Sequence, residues 1–510
     1  MKYTSFLACS VLLAFKSLVA DVVSAADTTP AALPPARSNT RPRSFKFEKV
    51  NNNPLNLPRR LRPRKRADTV LQRLDNQDFL YYADVKLGTP GQSLRLHLDT
   101  GSSDIWVESA ESELCQQSDD PCSITGTFDT DKSSTYKRVS GDFQISYVDG
   151  EYAQGDYAKD VFHLGDGTSV TGVQFGIGLE STSTEGIMGI GFEQNEVQVQ
   201  RLGKDPYPGL ANLMVQQGFI KSQAYSLWLN DLDSDEGQIL FGGVDTAKFR
   251  GNLTTIPVDK RTGATKAREF MITLTAVGLT NADGKQATLT ASDFAIPVLL
   301  DTGTTYTYLP TDLWKELCNQ VGAQVADRTG VPIVPCNIRD YNGTVDYSFS
   351  GAVINVAINE LVVDAFSYDG SPAAFSDGTP LCYFGVLDAG SDNNVLGDTF
   401  LRSAYIVFDL DNEEISIGKA LFNVTDSNIV EIGTGTNPVP DATGAASAVT
   451  VAPTGTGGGR SGGLPYVSGA ITNTAPSATA TKKSAASSYR FTWATLTLSL
   501  ALMLSGIVYC

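Results

Sequence analysis

The sequence predicts an all-β protein made of two related halves, and four observations support this. The chain of 510 residues is 42% hydrophobic, so it can bury a sizeable core in more than one lobe. Its 47 glycines come with few long helical patterns. Pairs that suit hairpin turns recur at Asp149-Gly150, Asp166-Gly167 and Asn342-Gly343. Finally, one short motif occurs twice.

The repeated motif is an aspartate at the end of an alternating apolar stretch. It reads Leu-Asp-Thr-Gly-Ser-Ser at residues 98–103 and Leu-Asp-Thr-Gly-Thr-Thr at residues 300–305. Every second residue before each aspartate is apolar: Leu94, Leu96 and Leu98, then Ile296, Val298 and Leu300. This spacing predicts a half-buried strand, and the glycine allows a tight turn after it. Two such turns facing each other would place Asp99 and Asp301 side by side.

Two neighbouring carboxyl groups have a specific chemistry. They cannot both ionise easily, so they share one proton and titrate as a coupled pair. Such a pair can act as acid and base on a water molecule held between them, and this water can attack a peptide carbonyl. The reaction needs no metal and no covalent intermediate, so we expect no cofactor.

The two motifs and the segments that follow them resemble the pepsin family of aspartic proteases. Residues 186–192 and 395–398 are similar to the strands that cross beneath each active-site loop in that family. The resemblance covers roughly residues 81–422. It implies a bilobal pepsin-like fold with pseudo-two-fold lobes, and we place these lobes at residues 67–257 and 258–430.

The resemblance also implies roles for the residues of the repeated motif. Asp99 and Asp301 correspond to the catalytic pair. Ser102 and Thr304 resemble the hydroxyl residues that orient the two carboxylates. The threonines at positions 100 and 302 resemble those that tie the two loops together. The implied activity is hydrolysis of peptide bonds in polypeptide substrates.

Residues 145–150 resemble the flap, a hairpin that closes over the substrate in this family. Tyr147 matches the flap tyrosine, and Trp106 matches a tryptophan that lies near it. The hairpin turn is Asp149-Gly150. The carboxylates of Asp149 and Glu151 could pair with a Lys or Arg side chain just before the cleaved bond. Acidic residues on a turn are also commonly just solvated, and the sequence leaves both readings open.

Other classes of catalytic site find little support. The chain has two histidines, His97 and His163, and neither has a nucleophile motif beside it. Two histidines also supply too few ligands for a histidine metal site. Residues 231–235 are rich in aspartate but lack the glycine and glutamate of a calcium-binding loop. We therefore expect no metal.

The cysteines suggest disulfides in an exported protein. Cys115 and Cys122 are close enough in sequence for a small loop. The family resemblance implies a second pair, Cys336 and Cys382. Cys318 is then left over on a predicted helix, where a buried free thiol is expected, although a pairing through Cys318 stays open.

The N-terminal region reads as a signal and a basic prosegment. An apolar run indicates a secretory signal over residues 1–20, with residue 26 as an alternative end. Residues 27–66 hold 11 Lys or Arg and 2 Asp or Glu, in a chain of formal net charge −17. We expect a prosegment over residues 21–66 that neutralises the acidic body and is cut after Lys65-Arg66 by a dibasic-specific protease, with Arg59-Arg60 as a second candidate site. A floppy basic linker is the alternative.

The C-terminal region predicts an anchor. Residues 431–484 are rich in Gly, Ser, Thr, Ala and Pro, which predicts an extended stalk without a packed core. Residues 485–510 hold a short polar spacer and then an apolar tail from Phe491 to Cys510, which is typical of a GPI signal with attachment at Ser484. A membrane-spanning helix is the alternative. Glycosylation sequons begin at Asn252, Asn342 and Asn423.

This overall plan resembles the fungal yapsins and the GPI-anchored candidapepsins. We expect a monomeric endopeptidase on the extracellular face of the plasma membrane, with the cell wall as the alternative location. It would accept or prefer Lys or Arg before the cleaved bond. The short Cys115–Cys122 loop departs from several yapsins and puts strict basic specificity in question. An inactive pepsin-like binding protein or a cell-wall mannoprotein is the rival reading. The acidic body argues against nucleic-acid binding.

Overall fold

The computed structural model describes residues 68–453, apart from residues 77–79, 148–149, 327–329 and 367–370. The predicted signal, the prosegment, Asp149, Ser484 and the apolar tail lie outside the described residues. Every described residue belongs to one compact unit.

The first half of the described chain forms twelve strands and two short helices. The strands are β1 (Val70–Asn76), β2 (Tyr81–Leu87), β3 (Gln92–Asp99), β4 (Ile105–Glu108), β5 (Lys137–Ser146), β6 (Tyr152–His163), β7 (Ser169–Ser181), β8 (Gly186–Gly189), β9 (Ala224–Trp228), β10 (Glu236–Phe241), β11 (Gly243–Asp245) and β12 (Phe249–Pro257). The helices are α1 (Val197–Leu202) and α2 (Leu210–Gln216).

The second half adds further strands and two helices. The strands are β13 (Met271–Leu274), β14 (Ala276–Thr280), β15 (Gln286–Thr288), β16 (Ile296–Leu300), β17 (Thr307–Leu309), β18 (Gln324–Val325), β19 (Pro332–Pro335), β20 (Thr344–Phe349), β21 (Ala352–Ala357), β22 (Val362–Asp364), β23 (Leu381–Phe384), β24 (Val386–Asp388), β25 (Asn394–Leu396), β26 (Ala404–Asp409), β27 (Glu414–Ala420), β28 (Ile429–Glu431) and β29 (Ala442–Gly444). The helices are α3 (Thr311–Val321) and α4 (Asp398–Leu401). No helix in the described part of the chain is long and apolar enough to cross a membrane.

The strands form one large sheet and four smaller ones. The 14-stranded sheet has the order β29-β12-β27-β26-β9-β10-β1-β2-β3-β8-β4-β7-β6-β5. The others are β11-β28, β13-β16-β25-β17-β24, β15-β14-β20-β21 and β18-β19-β23-β22. Burial alternates along strands such as β2, whose odd-numbered residues all face the core. The expectation of an all-β fold with a few short helices is confirmed.

The two halves repeat one strand pattern around the two aspartates. In the first half, β3 pairs parallel with β8, so that Asp99 lies opposite Gly189, and β4 pairs antiparallel with β8 and parallel with β7. In the second half, β16 pairs parallel with β25, while β17 pairs antiparallel with β25 and parallel with β24. The segments predicted to cross beneath the loops, β8 and β25, do so. The duplicated, bilobal architecture is therefore confirmed.

Strands and aromatic rings join the halves below the repeated loops. Strand β9 of the first half pairs with β26 of the second, and β12 pairs with β27. Near this junction the rings of Phe192 and Phe270 lie 4.7 Å apart, and those of Tyr225 and Phe408 lie 5.0 Å apart. The Tyr225 hydroxyl donates a hydrogen bond to the Ile190 carbonyl at 3.0 Å. Buried aromatic contacts of this kind fix one half against the other.

The cysteine predictions are confirmed. Disulfides join Cys115 to Cys122 and Cys336 to Cys382, and each bridge lies within one half. Cys318 is a buried free thiol on α3, and burial raises its pKa to about 12. Such a thiol stays protonated and packs as a small apolar side chain.

The prediction of an unpacked stalk from residue 431 is wrong for its first part. Strand β28 pairs with β11, and β29 pairs parallel with β12 at the edge of the large sheet. Ile432 and Val439 are buried in one apolar cluster with Trp228 and Tyr405. The chain then runs to Val451, whose N–H donates to the Asp259 carboxylate at 3.1 Å. Only residues from 454 onward can still belong to a stalk.

We predict that Ile432 anchors this C-terminal segment to the body. Ile432→Ala removes a fully buried side chain, so it should lower the unfolding free energy by about 2–5 kcal/mol. The matched control is Val449→Ala, because Val449 is 44% exposed and its change should stay within about 0.5 kcal/mol. Urea titrations of both variants measure this. Equal, small effects would mean that the segment is not packed in solution.

Candidate active site

Asp99 and Asp301 are buried at the ends of equivalent strands, and their carboxyl groups have the same surroundings. The Asp99 Oδ1 accepts from the N–H of Gly101 at 2.7 Å, and its Oδ2 accepts from the hydroxyl of Ser102. The Asp301 Oδ1 accepts from the N–H of Gly303 at 2.8 Å, and its Oδ2 accepts from the Thr304 hydroxyl at 2.7 Å. Donors of this kind hold a carboxyl group in one orientation.

Two threonines bind the loops to each other. The N–H of Thr100 donates to the Thr302 hydroxyl oxygen at 3.1 Å, and the N–H of Thr302 donates to the Thr100 hydroxyl oxygen at 3.0 Å. The Thr100 hydroxyl donates to the Leu300 carbonyl at 2.9 Å, and the Thr302 hydroxyl donates to the Leu98 carbonyl at 2.8 Å. All four bonds are buried, and each crosses from one half to the other. They match the role expected for this pair.

The loops approach so closely that each carboxyl group touches the opposite glycine. A Cβ atom on Gly303 would lie 2.6 Å from Asp99 Oδ1 and 3.0 Å from Asp301 Oδ1. A Cβ atom on Gly101 would lie 2.5 Å from Asp301 Oδ1. These positions leave no room for a side chain. The glycines therefore allow the two carboxyl groups to lie side by side.

The electrostatics favour one proton on this pair. Burial raises the pKa of Asp301 well above its usual range, and the negative charge of Asp99 raises it further. Hydrogen bonds from Thr304 and Gly303 lower the pKa of Asp301, but by less than burial and the charge of Asp99 raise it. A pair with one proton can donate and accept a proton in the same step.

Comparison with known proteins identifies the family. The model of the family "Eukaryotic aspartyl protease" matches residues 80–420, which include both loops. The chain belongs to the eukaryotic aspartyl protease family. It is an aspartic-type endopeptidase and acts on polypeptide substrates.

Fungal relatives and one solved structure agree with this assignment. "Probable aspartic-type endopeptidase opsB" of Aspergillus oryzae is 47% identical over 423 residues, covering 83% of this chain and 85% of the relative. "Aspartic proteinase yapsin-3" of Saccharomyces cerevisiae is 35% identical over 367 residues, covering 70% and 69%. The crystal structure of an aspartic proteinase from Irpex lacteus has a TM-score of 0.56 at 20% identity. It covers 71% of this chain and all of the solved chain, and it shows the same fold.

The hairpin of β5 and β6 carries the residues predicted to form the flap, and we call it the flap hairpin. The N–H of Tyr147 donates to the Glu151 carbonyl at 2.8 Å, and Gly150 turns the chain with φ +91°. The Trp106 Nε1–H donates to the Tyr147 hydroxyl at 2.6 Å. This hydrogen bond brings together the two aromatic residues predicted for the flap. Asp149 lies outside the described residues.

A cluster of buried acids lies beneath the flap, and the sequence analysis missed it. The Asp104 Oδ1 accepts hydrogen bonds from the hydroxyls of Tyr157 and Tyr207, each at 2.8 Å. The Glu196 Oε2 accepts from the N–H of Tyr207 at 2.9 Å, while its Oε1 has no hydrogen-bond partner among the described residues. Tyr157 packs edge-on against Phe143 at 5.2 Å. This cluster supports the aromatic residues under the flap.

A second buried polar group lies behind Asp301, and it was also missed. Neither carboxyl oxygen of Asp398 has a hydrogen-bond partner in the described part of the chain. Burial raises its pKa well above the usual range despite the nearby charge of Arg402, which favours the neutral form of Asp398. Arg402 forms a fully buried ion pair with Glu360 at 2.7 Å. The sequence offers little signal for either cluster: Asp104 stands at the edge of an apolar segment, Asp398 follows one, and Glu196 lies in a polar stretch.

Burial of the acids makes the stability of the fold depend on pH. Burial raises the pKa of Glu196 from 4.5 to about 10 and that of Glu108 to about 7. The folded chain therefore binds more protons than the unfolded chain above pH 4.5. The contribution of these two acids to the unfolding free energy is therefore largest below pH 4.5 and falls as the pH rises toward their folded pKa values.

We predict that Glu196→Gln reduces this pH dependence, because an amide does not ionise. Between pH 5 and 9 the fall in unfolding free energy should shrink by at least about 1.4 kcal/mol, the equivalent of one pKa unit. Glu113→Gln is the control, since Glu113 is exposed. Denaturant titrations at several pH values test this. Parallel curves for the wild type and Glu196→Gln would contradict the assignment.

Proposed function

We propose that Asp99 and Asp301 are the catalytic pair of this endopeptidase. The observation that carries the proposal is their shared environment: two buried carboxyl groups in contact with each other's loops, each held by a glycine N–H and a hydroxyl. The pair would bind one water molecule. The ionised carboxylate takes a proton from this water, and the protonated carboxyl polarises the substrate carbonyl.

The remaining steps use the same two groups. As the water attacks the carbonyl carbon, the protonated carboxyl group gives its proton to the carbonyl oxygen, and a tetrahedral diol forms. The proton taken from the water then passes to the amine nitrogen, the C–N bond breaks, and a diol hydroxyl returns a proton to the other carboxylate. Ser102 and Thr304 would keep the outer carboxyl oxygens in place while the proton moves between the inner ones. Tyr147, supported by Trp106, would close over the bound peptide with the Gly150 turn and exclude bulk water.

We propose that the enzyme accepts or prefers Lys or Arg just before the cleaved bond. Asp149 and Glu151 flank the flap turn and would face a long basic side chain there. A carboxylate and a guanidinium or ammonium group form a charge-assisted hydrogen bond, which favours basic substrates over apolar ones. The similarity to yapsin-3 is compatible with this specificity, as is the acidic character of the chain.

We further propose that the protein is exported and anchored. The sequence supports a signal at residues 1–20, a prosegment removed after Lys65-Arg66, and GPI attachment at Ser484. The exposed sequon residues Asn252, Asn342 and Asn423 would carry glycans. The enzyme would then act as a monomer on cell-surface or secretory proteins, at the outer face of the plasma membrane or in the cell wall.

A peptide-library experiment tests the catalytic and specificity proposals together. Wild-type enzyme should show the highest kcat/KM for Lys or Arg before the cleaved bond. Asp149→Asn should lower kcat/KM for these peptides about 10-fold, a loss of about 1.4 kcal/mol, and leave peptides with Leu at that position unchanged. Asp99→Asn should lose a factor of about 10²–10⁴ on every peptide.

The outcomes separate the two proposals. Equal kcat/KM for basic and apolar peptides would remove the proposed specificity but leave the catalytic pair intact. Activity that survives Asp99→Asn would refute the catalytic assignment itself.

A further inference from the structure

An exposed loop connects the two halves of the protease. Residues 260–266 lie between β12 and β13, outside any strand or helix, and each of them is exposed. The loop is fixed at both ends. The N–H of the buried Asp259 donates to the Met271 carbonyl at 2.7 Å, and the N–H of the buried Ala267 donates to the Glu413 carboxylate at 3.0 Å. Exposed loops between fixed ends are the preferred sites of proteolytic cleavage.

This loop contains a pair of adjacent basic residues, Lys260-Arg261, followed by Thr262 and Gly263. The pair is of the same type as Lys65-Arg66, the site proposed for removal of the prosegment. Lys260 forms an ion pair with Glu413, and Arg261 forms one with Glu269 at 2.9 Å. Both basic side chains are about 40% exposed, at 39% and 43%. Their carboxylate partners are less exposed, at 19% for Glu413 and 14% for Glu269, so cleavage requires that both ion pairs open.

The described residues hold one other adjacent basic pair, Lys137-Arg138, and its setting is different. It lies in strand β5, where Lys137 and Arg138 are paired with β6. The Arg138 guanidinium also donates two hydrogen bonds to Asp156, at 2.6 and 2.7 Å. A protease must bind the backbone of its substrate in an extended form, and here that backbone is already engaged in the sheet. The chain therefore supplies a matched internal control.

We propose that Lys260-Arg261 is a second processing site, at which a dibasic-specific protease hydrolyses the bond between Arg261 and Thr262. Water supplies a hydroxyl group to the Arg261 carbonyl carbon and a proton to the Thr262 nitrogen, and the C–N bond breaks. No other reactant is needed. The proposal rests on the proposed secretory route, but it does not depend on the catalytic pair of this chain.

The cut protein would stay assembled as two chains. Strand β12 on one side of the cut pairs with β27 on the other, and β9 pairs with β26. Both disulfides lie within one half, so neither crosses residue 261. The two chains should therefore remain together in the native protein and separate in denaturant without any reductant.

The test uses the full-length chain, secreted from cells that make a dibasic-specific protease, as wild type and as Asp99→Asn. On a non-reducing denaturing gel both should give a fragment whose N-terminal sequence begins at Thr262. The double variant Lys260→Gln, Arg261→Gln should lose this fragment by at least 10-fold. The control variant Lys137→Gln, Arg138→Gln should retain it.

The contrary results are distinct. A chain that begins at Ala67 without any chain that begins at Thr262 would overturn the proposal. A Thr262 fragment seen with the wild type but not with Asp99→Asn would mean self-cleavage and would overturn it too. Where the cells leave Lys65-Arg66 uncut, the folded chain is treated with the purified dibasic-specific protease. If this protease does not cut after Arg261, the proposal is wrong. Cleavage after Arg261 in the Asp99→Asn variant would show that this processing does not depend on the proposed catalytic function.

Discussion

The reciprocal hydrogen bonds between Thr100 and Thr302 hold together a site that would otherwise be unfavourable. Two carboxyl groups are buried in contact with each other's loops, and burial of charged groups is costly unless donors and a shared proton compensate for it. The threonine bonds are buried, they cross between the halves, and in each of them a threonine hydroxyl of one loop bonds a backbone N–H or carbonyl of the other half. The position of each carboxyl group therefore depends on the position of the other loop.

The duplicated strand pattern explains why both loops can reach this position. Each loop lies over a crossing strand that has a glycine at its end or directly after it: Gly189 ends β8, and Gly397 follows β25. A Cβ atom on Gly189 would lie 2.5 Å from the Asp104 carbonyl oxygen, and one on Gly397 would lie 2.2 Å from the Thr304 carbonyl oxygen. Side chains at either position would push the loops out of place. The same steric requirement in both halves accounts for the repeated glycine-containing segments in the sequence.

Much of the site was predictable from the sequence because its chemistry is carried by contiguous motifs. The repeated Asp-Thr-Gly turns, the alternating apolar residues before them and the flap tyrosine are local signals, and the structure brings the predicted groups around Asp99 and Asp301 together. The acids Asp104, Glu196 and Asp398 were missed for a physical reason. The residues next to these acids in sequence do not reveal whether the acids face solvent or the core.

The prediction that residues 431–453 belong to an unpacked stalk was wrong for a related reason. Composition correctly identified residues 431–453 as poor in large apolar side chains, yet Ile432 and Val439 suffice to fix the segment in an existing apolar cluster. Backbone pairing of β28 and β29 with distant strands supplies the rest. Such pairing depends on strands nearly 200 residues away in sequence. A local sequence pattern does not show which distant strand a segment pairs with.

The most direct test of the shared-proton account is neutron diffraction from crystals of the deuterated enzyme at a pD near 4.5. The account predicts a single deuteron on the Asp99–Asp301 pair and one water molecule bonded to both carboxyl groups. Two separately deuterated carboxyl groups, or carboxyl groups too far apart to bind one water, would contradict it.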